Sequence, residues 1–408
     1  MKTLGTFLLA LLHLSAFAKI ISVKPGNHPT IKEAISIAIP FDTVNVEKGL
    51  FKEGNIIIDK PLTFLGHNTT LDGENKFEII SVTSSHVTID GFTIINSGVS
   101  GMVDYAGIKI KNKNHAVITN NILKNCFFGI YLQQAGSCII RNNSITGNKT
   151  EEQQSGNGIH CWKSAKLIIA NNTITGQRDG IYFEFVTNSV IKNNYSHSNL
   201  RYGLHFMFSN DDTYLKNQFE NNGAGVSVMF SHGVHMYYNR FNNNWGDSAY
   251  GILLKEISDS KILYNQFENN TSGIYMEGAS RVQMSMNLFK NNGWGIKIQA
   301  SCMDISLSNS NFINNTFDIG TNGSLVLNTF NYNYWDKYDG YDLNKDKIGD
   351  IPYRPVSMYS MIVEQNPTAM MLFRSFMTTL LDKTEKILPT LTPENLKDDH
   401  PLMKALPL

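Results

Sequence analysis

The sequence is short of charge. Only 17% of its 408 residues are Asp, Glu, Lys or Arg, against about 25% in an ordinary soluble domain. The 35 basic and 35 acidic side chains cancel, which argues against a nucleic-acid binder or a polybasic membrane binder, since either needs an excess of cations. Cysteine is scarce too. Cys126, Cys138, Cys161 and Cys302 fit no zinc-ligand spacing and no disulfide framework, so they read as core or solitary thiols. Eleven prolines and 31 glycines are too few for a disordered or collagen-like chain. No apolar run approaches the ~18 residues of a membrane span. A phosphate-binding loop is also missing, so any ATP chemistry belongs to another chain.

What is present begins with an export segment. Met1–Ala18 (MKTLGTFLLALLHLSAFA) has a positive end at Lys2, an apolar stretch and a small-residue cleavage site at Ala16-Phe17-Ala18. It reads as a cleavable secretory signal peptide, 1–18, which implies an exported protein.

The middle of the chain repeats. A Gly followed by an apolar residue recurs at 107, 129, 158, 180, 203, 225, 251, 273 and 295, and an Asn stands fourteen residues after each, from Asn121 to Asn309. Two places beyond the Asn comes a core position: Leu123, Ile145, Ile174, Phe219, Phe241, Phe267 and Phe289, with Ser196 and Asn311 as exceptions. The period of ~20–30 residues suits one coil of a solenoid. Within a coil the apolar residues alternate with period two, which means strands and not helices. The fold class is therefore an all-β solenoid, a right-handed parallel β-helix over 19–335, with regular coils at about 80–330. Stacked Asn side chains form a ladder and stacked Phe rings fill the core. A short N-terminal cap covers about 19–60, where Ile31, Ala34, Ile35 and Ala38 have helical spacing. Longer spacings mark polar insertions at Gly147–Gly156 and near Asn244–Ala249. An Asp/Tyr-rich junction follows at 336–355. The 356–408 tail loses the repeat and reads as two amphipathic helices divided by Pro367 and ended by Pro389, with an extended stretch beyond Thr390.

Candidate chemistry lies on the Gly strands. Positions one and three after Gly point inward, and positions two and four outward. His205, Met207 and Met229 then cluster outward on two neighbouring coils, which also carry His232 and His235. Imidazole with thioether favours copper, and thioether selects Cu(I). Met236, Met276 and Met284 fall at inward positions and read as core. Asp342, Asn344, Asp346 and Asp350 alternate like a calcium loop, although Lys347 stands where such a loop wants Gly and its twelfth-position Glu is missing. An enzyme reading, as a polysaccharide lyase, hydrolase or epimerase, would use Asp179, Glu184, Asp211 and Asp212 with Arg178 and Arg201. No column of acids and bases repeats on adjacent coils to support it.

The run NYWDKYDGYD at Asn333–Asp342, then IGDIPYRPV at Ile348–Val356, resembles the C-terminal signature of the NosD family. So do Leu380-Leu381-Asp382 and Pro401-Leu402-Met403. The resemblance spans essentially the whole chain. It implies a periplasmic accessory protein, not an enzyme, that works with an ABC transporter ATPase and membrane subunit. Its implied task is to bind or deliver copper during assembly of nitrous oxide reductase, with a copper chaperone as donor. The 356–408 tail would then dock on the membrane subunit.

Overall fold

The computed structural model describes residues 18–100, 102–148, 151–152, 155–323, 327–387 and 396–408. All of the export segment but Ala18 lies outside these residues. Among them, 36 strands join in one continuous parallel sheet wound into a right-handed β-helix. A representative coil uses Tyr202–Met207, Thr213–Leu215 and Gln218–Glu220. The next coil lays Ala224, Met229, His235 and Arg240 directly beside Tyr202, Met207, Thr213 and Gln218. In-register stacking puts like residues on like.

Two contacts explain why each coil needs a glycine. A Cβ on Gly251 would lie 2.5 Å from the carbonyl oxygen of Gly273 and 2.9 Å from the ring of Phe267. Any side chain there would push the next coil and the aromatic column apart. With the space left open, Phe219, Phe241, Phe267, Phe289 and Phe312 stack at centroid spacings of 4.7–5.5 Å, ending on Trp335 at 4.2 Å.

The doubled asparagines divide two tasks. In Asn193-Asn194 the first residue takes φ 53°, which Asn tolerates better than most side chains. The second is buried, and its carboxamide accepts from the backbone N–H of Asn172 (2.9 Å) while donating to Asn217 Oδ1 (3.0 Å). This column runs from Asn121 to Asn287 through side-chain amides of successive coils. The count fails at its ninth place: Asn309 takes φ 49°, and Ser310 Oγ receives the N–H of Asn287 instead. This coil, the last but one, is one residue longer, which also moves the core position from Asn311 to Phe312. A second ladder, not foreseen from the Gly count, runs through Asn199 and Asn222 and then from Asn244 to Asn315.

Both ends are closed. At the start, helix α1 (Ile31–Ile37) buries Ile31, Ala34 and Ile35, and Thr30 with Glu33 forms a capping box. At the other end, the tail is helical at α2 (Met358–Gln365) and α3 (Phe376–Ile387), joined by a 3-10 turn at Pro367–Leu372. Residues 396–408 are not helical and do not stand free. They bridge the final coil through Asp398 beside Phe330 and Leu402 beside Tyr334. Asp398 is fully buried and accepts from the backbone N–H groups of Tyr332 and Asn333, the Asn333 amide and the Trp335 indole.

Candidate functional site

The outward row of the Gly strands carries the chemistry. Met207 and Met229 are register partners on adjacent strands, about 4.8 Å apart by parallel-strand spacing. The chain bends one place later, at Phe208 (φ 50°) and Phe230 (φ 52°), so both methionines stay outward and half-buried. Beside them Phe185, Phe208 and Phe230 stack at 5.2 and 5.1 Å with about 40% of each exposed, forming an apolar ridge. Met236, Met276 and Met284 are fully buried core residues.

His205 is two residues from Met207 on the same strand, yet it is not a surface ligand. It is 4% exposed, packed between the rings of Tyr182 and Tyr202 at 4.8 Å, with Nδ1 3.8 Å from Asp179 Oδ2. Position two points outward, as alternation requires, but bulky neighbours cover it; Tyr131 and Ser227 are buried in the same way. His232 follows the bend at Phe230, and His235 lies beyond a second bend at Gly233 (φ 65°). His232 is exposed beside Asp211, and His235 stacks on Tyr237. Thus the two methionines come together, His205 adjoins them in a covered setting, and the other histidines lie around the corner. Among the described residues, no three His, Cys, Asp or Glu side chains are grouped as metal ligands.

A polar nest surrounds His205. Fully buried Asp179 lies 3.6 Å from the Arg201 guanidinium and 3.8 Å from that of Arg178. Next along the row, His160 accepts or shares a hydrogen bond with the Asn157 amide (2.9 Å), and burial pushes its pKa down to about 3. It is therefore neutral at any ordinary pH. Tyr182 is raised to about 12, chiefly by burial. Nothing in the repeat arithmetic flagged Asp179 or Tyr202 as partners of His205; the available sign was the run of aromatic and imidazole side chains at position two.

The acids considered for sugar chemistry do not converge. Asp212 is buried in a turn column, accepts the Ser189 backbone N–H at 2.7 Å and has its pKa raised by burial to about 8, while neighbouring Asp211 is exposed. In the acidic loop, Asp342 accepts from the N–H groups of Asp346 and Lys347, Asp346 from Ile348, and Asp350 from Leu343. Asn344 also accepts from Asp346, and Lys347 takes φ 73°, the conformation for which Gly was missed. The four side chains tie the loop to itself. All four cysteines are free and buried, and burial raises Cys126 to about 12.

Comparison with known proteins points to one family. The model described as periplasmic copper-binding protein (NosD) matches residues 143–340, and one for the right-handed β-helix region matches 54–174. The probable ABC transporter binding protein NosD of Pseudomonas aeruginosa is 27% identical over 86% of each chain. The chain is similar to the NosD family. The equivalent protein of Stutzerimonas stutzeri is 33% identical over 72 residues, 18% of this chain and 16% of that one. Two solved structures share the fold alone. One is the catalytic domain of a GH87 α-1,3-glucanase (TM-score 0.61, 12% identity, 78% of this chain and 69% of that one). The other is the A-module of mannuronan C-5 epimerase AlgE6 of Azotobacter vinelandii (0.53, 15%, 74% and 88%). In this NosD-like chain, the described residues contain no helix long and apolar enough to cross a membrane.

Proposed function

We propose that this chain is a non-enzymatic periplasmic accessory protein of an ABC transporter that handles Cu(I) as cargo for assembly of nitrous oxide reductase. Met1–Ala18 directs export and is then removed. The observation that carries the reading is the Met207–Met229 register pair, outward and half-buried on a NosD-like solenoid. Two thioethers suit Cu(I) and leave room for further donors from the delivering chaperone, so metal passes by ligand exchange. His205 adjoins the pair on the same strand, and His232 and His235 are reserve donors beyond the corner. The Phe185–Phe208–Phe230 ridge gives a partner an apolar surface beside the cargo. Exposed Met371, Phe376, Met377 and Leu380 in the tail would meet the transporter's membrane subunit. Its separate ATPase supplies the energy.

Anaerobic Cu(I) titration against a chromophoric competitor tests the reading. Met207→Ala with Met229→Ala should weaken binding at least about tenfold, ~1.4 kcal/mol, without loss of β structure. Equal affinity in the double variant would remove the site.

A further inference from the structure

Seven of the 15 buried side-chain nitrogen and oxygen atoms that lack a hydrogen bond among the described residues lie in one place. They are Asn157 Oδ1, Arg178 Nε, both oxygens of Asp179, both ring nitrogens of His205 and Ser227 Oγ. All belong to the outward side of the Gly strands on four consecutive coils, because Ile159, Ile181, Leu204 and Val226 are aligned neighbours there. Asp179 is in ion-pair range of Arg178, Arg201 and His205 at 3.6–3.8 Å, too far to hydrogen-bond. A buried polar group without a hydrogen bond costs about 1–3 kcal/mol, and the Asn columns avoid that cost through their ladders. A cluster of this density is built to meet something.

The mixture identifies what. Asp179 and Asn157 offer acceptors, Arg178 a donor, and His205 and Ser227 can do either. An inorganic anion would face the Asp179 carboxylate. A metal ion would face two guanidinium groups held within 3.8 Å of that carboxylate. A ligand with many neutral hydroxyls satisfies donors and acceptors together. Adjoining the nest is a cleft of about 330 Å³, floored by Arg201 and Tyr202 and walled by Trp245 to Ala249. That volume is within the range of small-molecule sites. The Tyr202 ring and the 65% exposed Trp245 provide flat apolar faces, which suit the C–H face of a pyranose.

We infer that this nest and cleft form a binding site for a neutral oligosaccharide, recognised without turnover. Arg201 divides the two spaces: it touches Asp179 on one side and Glu152 at 3.0 Å on the other. Turning Arg201 outward lets a sugar hydroxyl reach Asp179 and His205. The site adjoins the methionine pair through His205 but uses neither thioether, so binding is expected in the absence of copper.

Isothermal titration of the mature full-length chain with cellotetraose, maltotetraose and xylotetraose, with tetragalacturonate as the acidic comparison, tests the inference. Saturable heat is expected with at least one neutral tetrasaccharide. It should weaken at least about tenfold in Trp245→Ala and in Asp179→Asn. Trp245 is on the surface, so its variant keeps the fold, and cooperative thermal unfolding verifies this for both. Two results would overturn the inference: no saturable heat with any neutral probe, which leaves ordered water as the filler, or binding indifferent to both substitutions.

Discussion

Asn193 and Asn194 are the same residue with opposite sensitivities. Asn193 is exposed at positive φ, where Gly is equally at ease. Asn194 is buried and holds four hydrogen bonds through its carboxamide. Asn194→Ala strands the N–H of Asn172 and the carbonyl of Ile169, so it should cost about 3 kcal/mol at ~1–3 per stranded group. Asn193→Gly should change stability by less than about 0.5 kcal/mol. Urea unfolding of the two variants checks the contrast. Asp212 gives the pH dependence. Its folded pKa of about 8 lies far above its ordinary 3.8. Between those values the folded chain binds the extra proton, so stability falls as pH rises from about 4 to 8 and then levels off. Serine occupies the same column at Ser189 and Ser260. Asp212→Ser should therefore flatten this part of the profile and be relatively more stable at pH 8 than at pH 4; an unchanged slope in chemical denaturation would refute the assignment.

A coil is held by what stacks on it. Phe267 is fully buried between Phe241 and Phe289, each 4.8 Å away. Phe267→Ala should lose about 3–5 kcal/mol, measurable as a lower urea midpoint. This element was legible in the sequence because Gly and Phe occur at fixed intervals, and period-two alternation placed Ile and Leu inward. The second Asn ladder was not, since it starts late in the chain and has Gln177 before Asn199 in its column. The covering of His205 was also invisible: alternation tells which side a residue leaves from, not whether Tyr182 and Tyr202 will close over it. Likewise, Met207 and Met229 could be set side by side by counting, whereas the isolation of His232 and His235 depends on the bends at Phe230 and Gly233.

The whole molecule is a stack whose two ends would otherwise be sheet edges open to any passing strand. Repeat counting gave no purpose to residues beyond 395, because a cap must break the pattern it ends. Deleting 396–408 should uncover Phe330 and Trp335, remove the Asp398 acceptor, and turn a discrete species into oligomers; light scattering after size exclusion checks this. The ladders add a consequence for anyone wishing to lengthen or shorten the stack. Each side-chain amide that joins its successor sends one N–H towards the C-terminal end, and both columns finish on an aspartate side chain: Asn315 on Asp318 and Asn333 on Asp398. Aligned amide dipoles add, as they do in a helix. The two amide columns are therefore polar along the axis, with their positive ends towards the C-terminus and Asp398 seated on the first of them. A new terminal coil must offer an acceptor to those ends; a lysine in the place of Asp398 would set like sign against like.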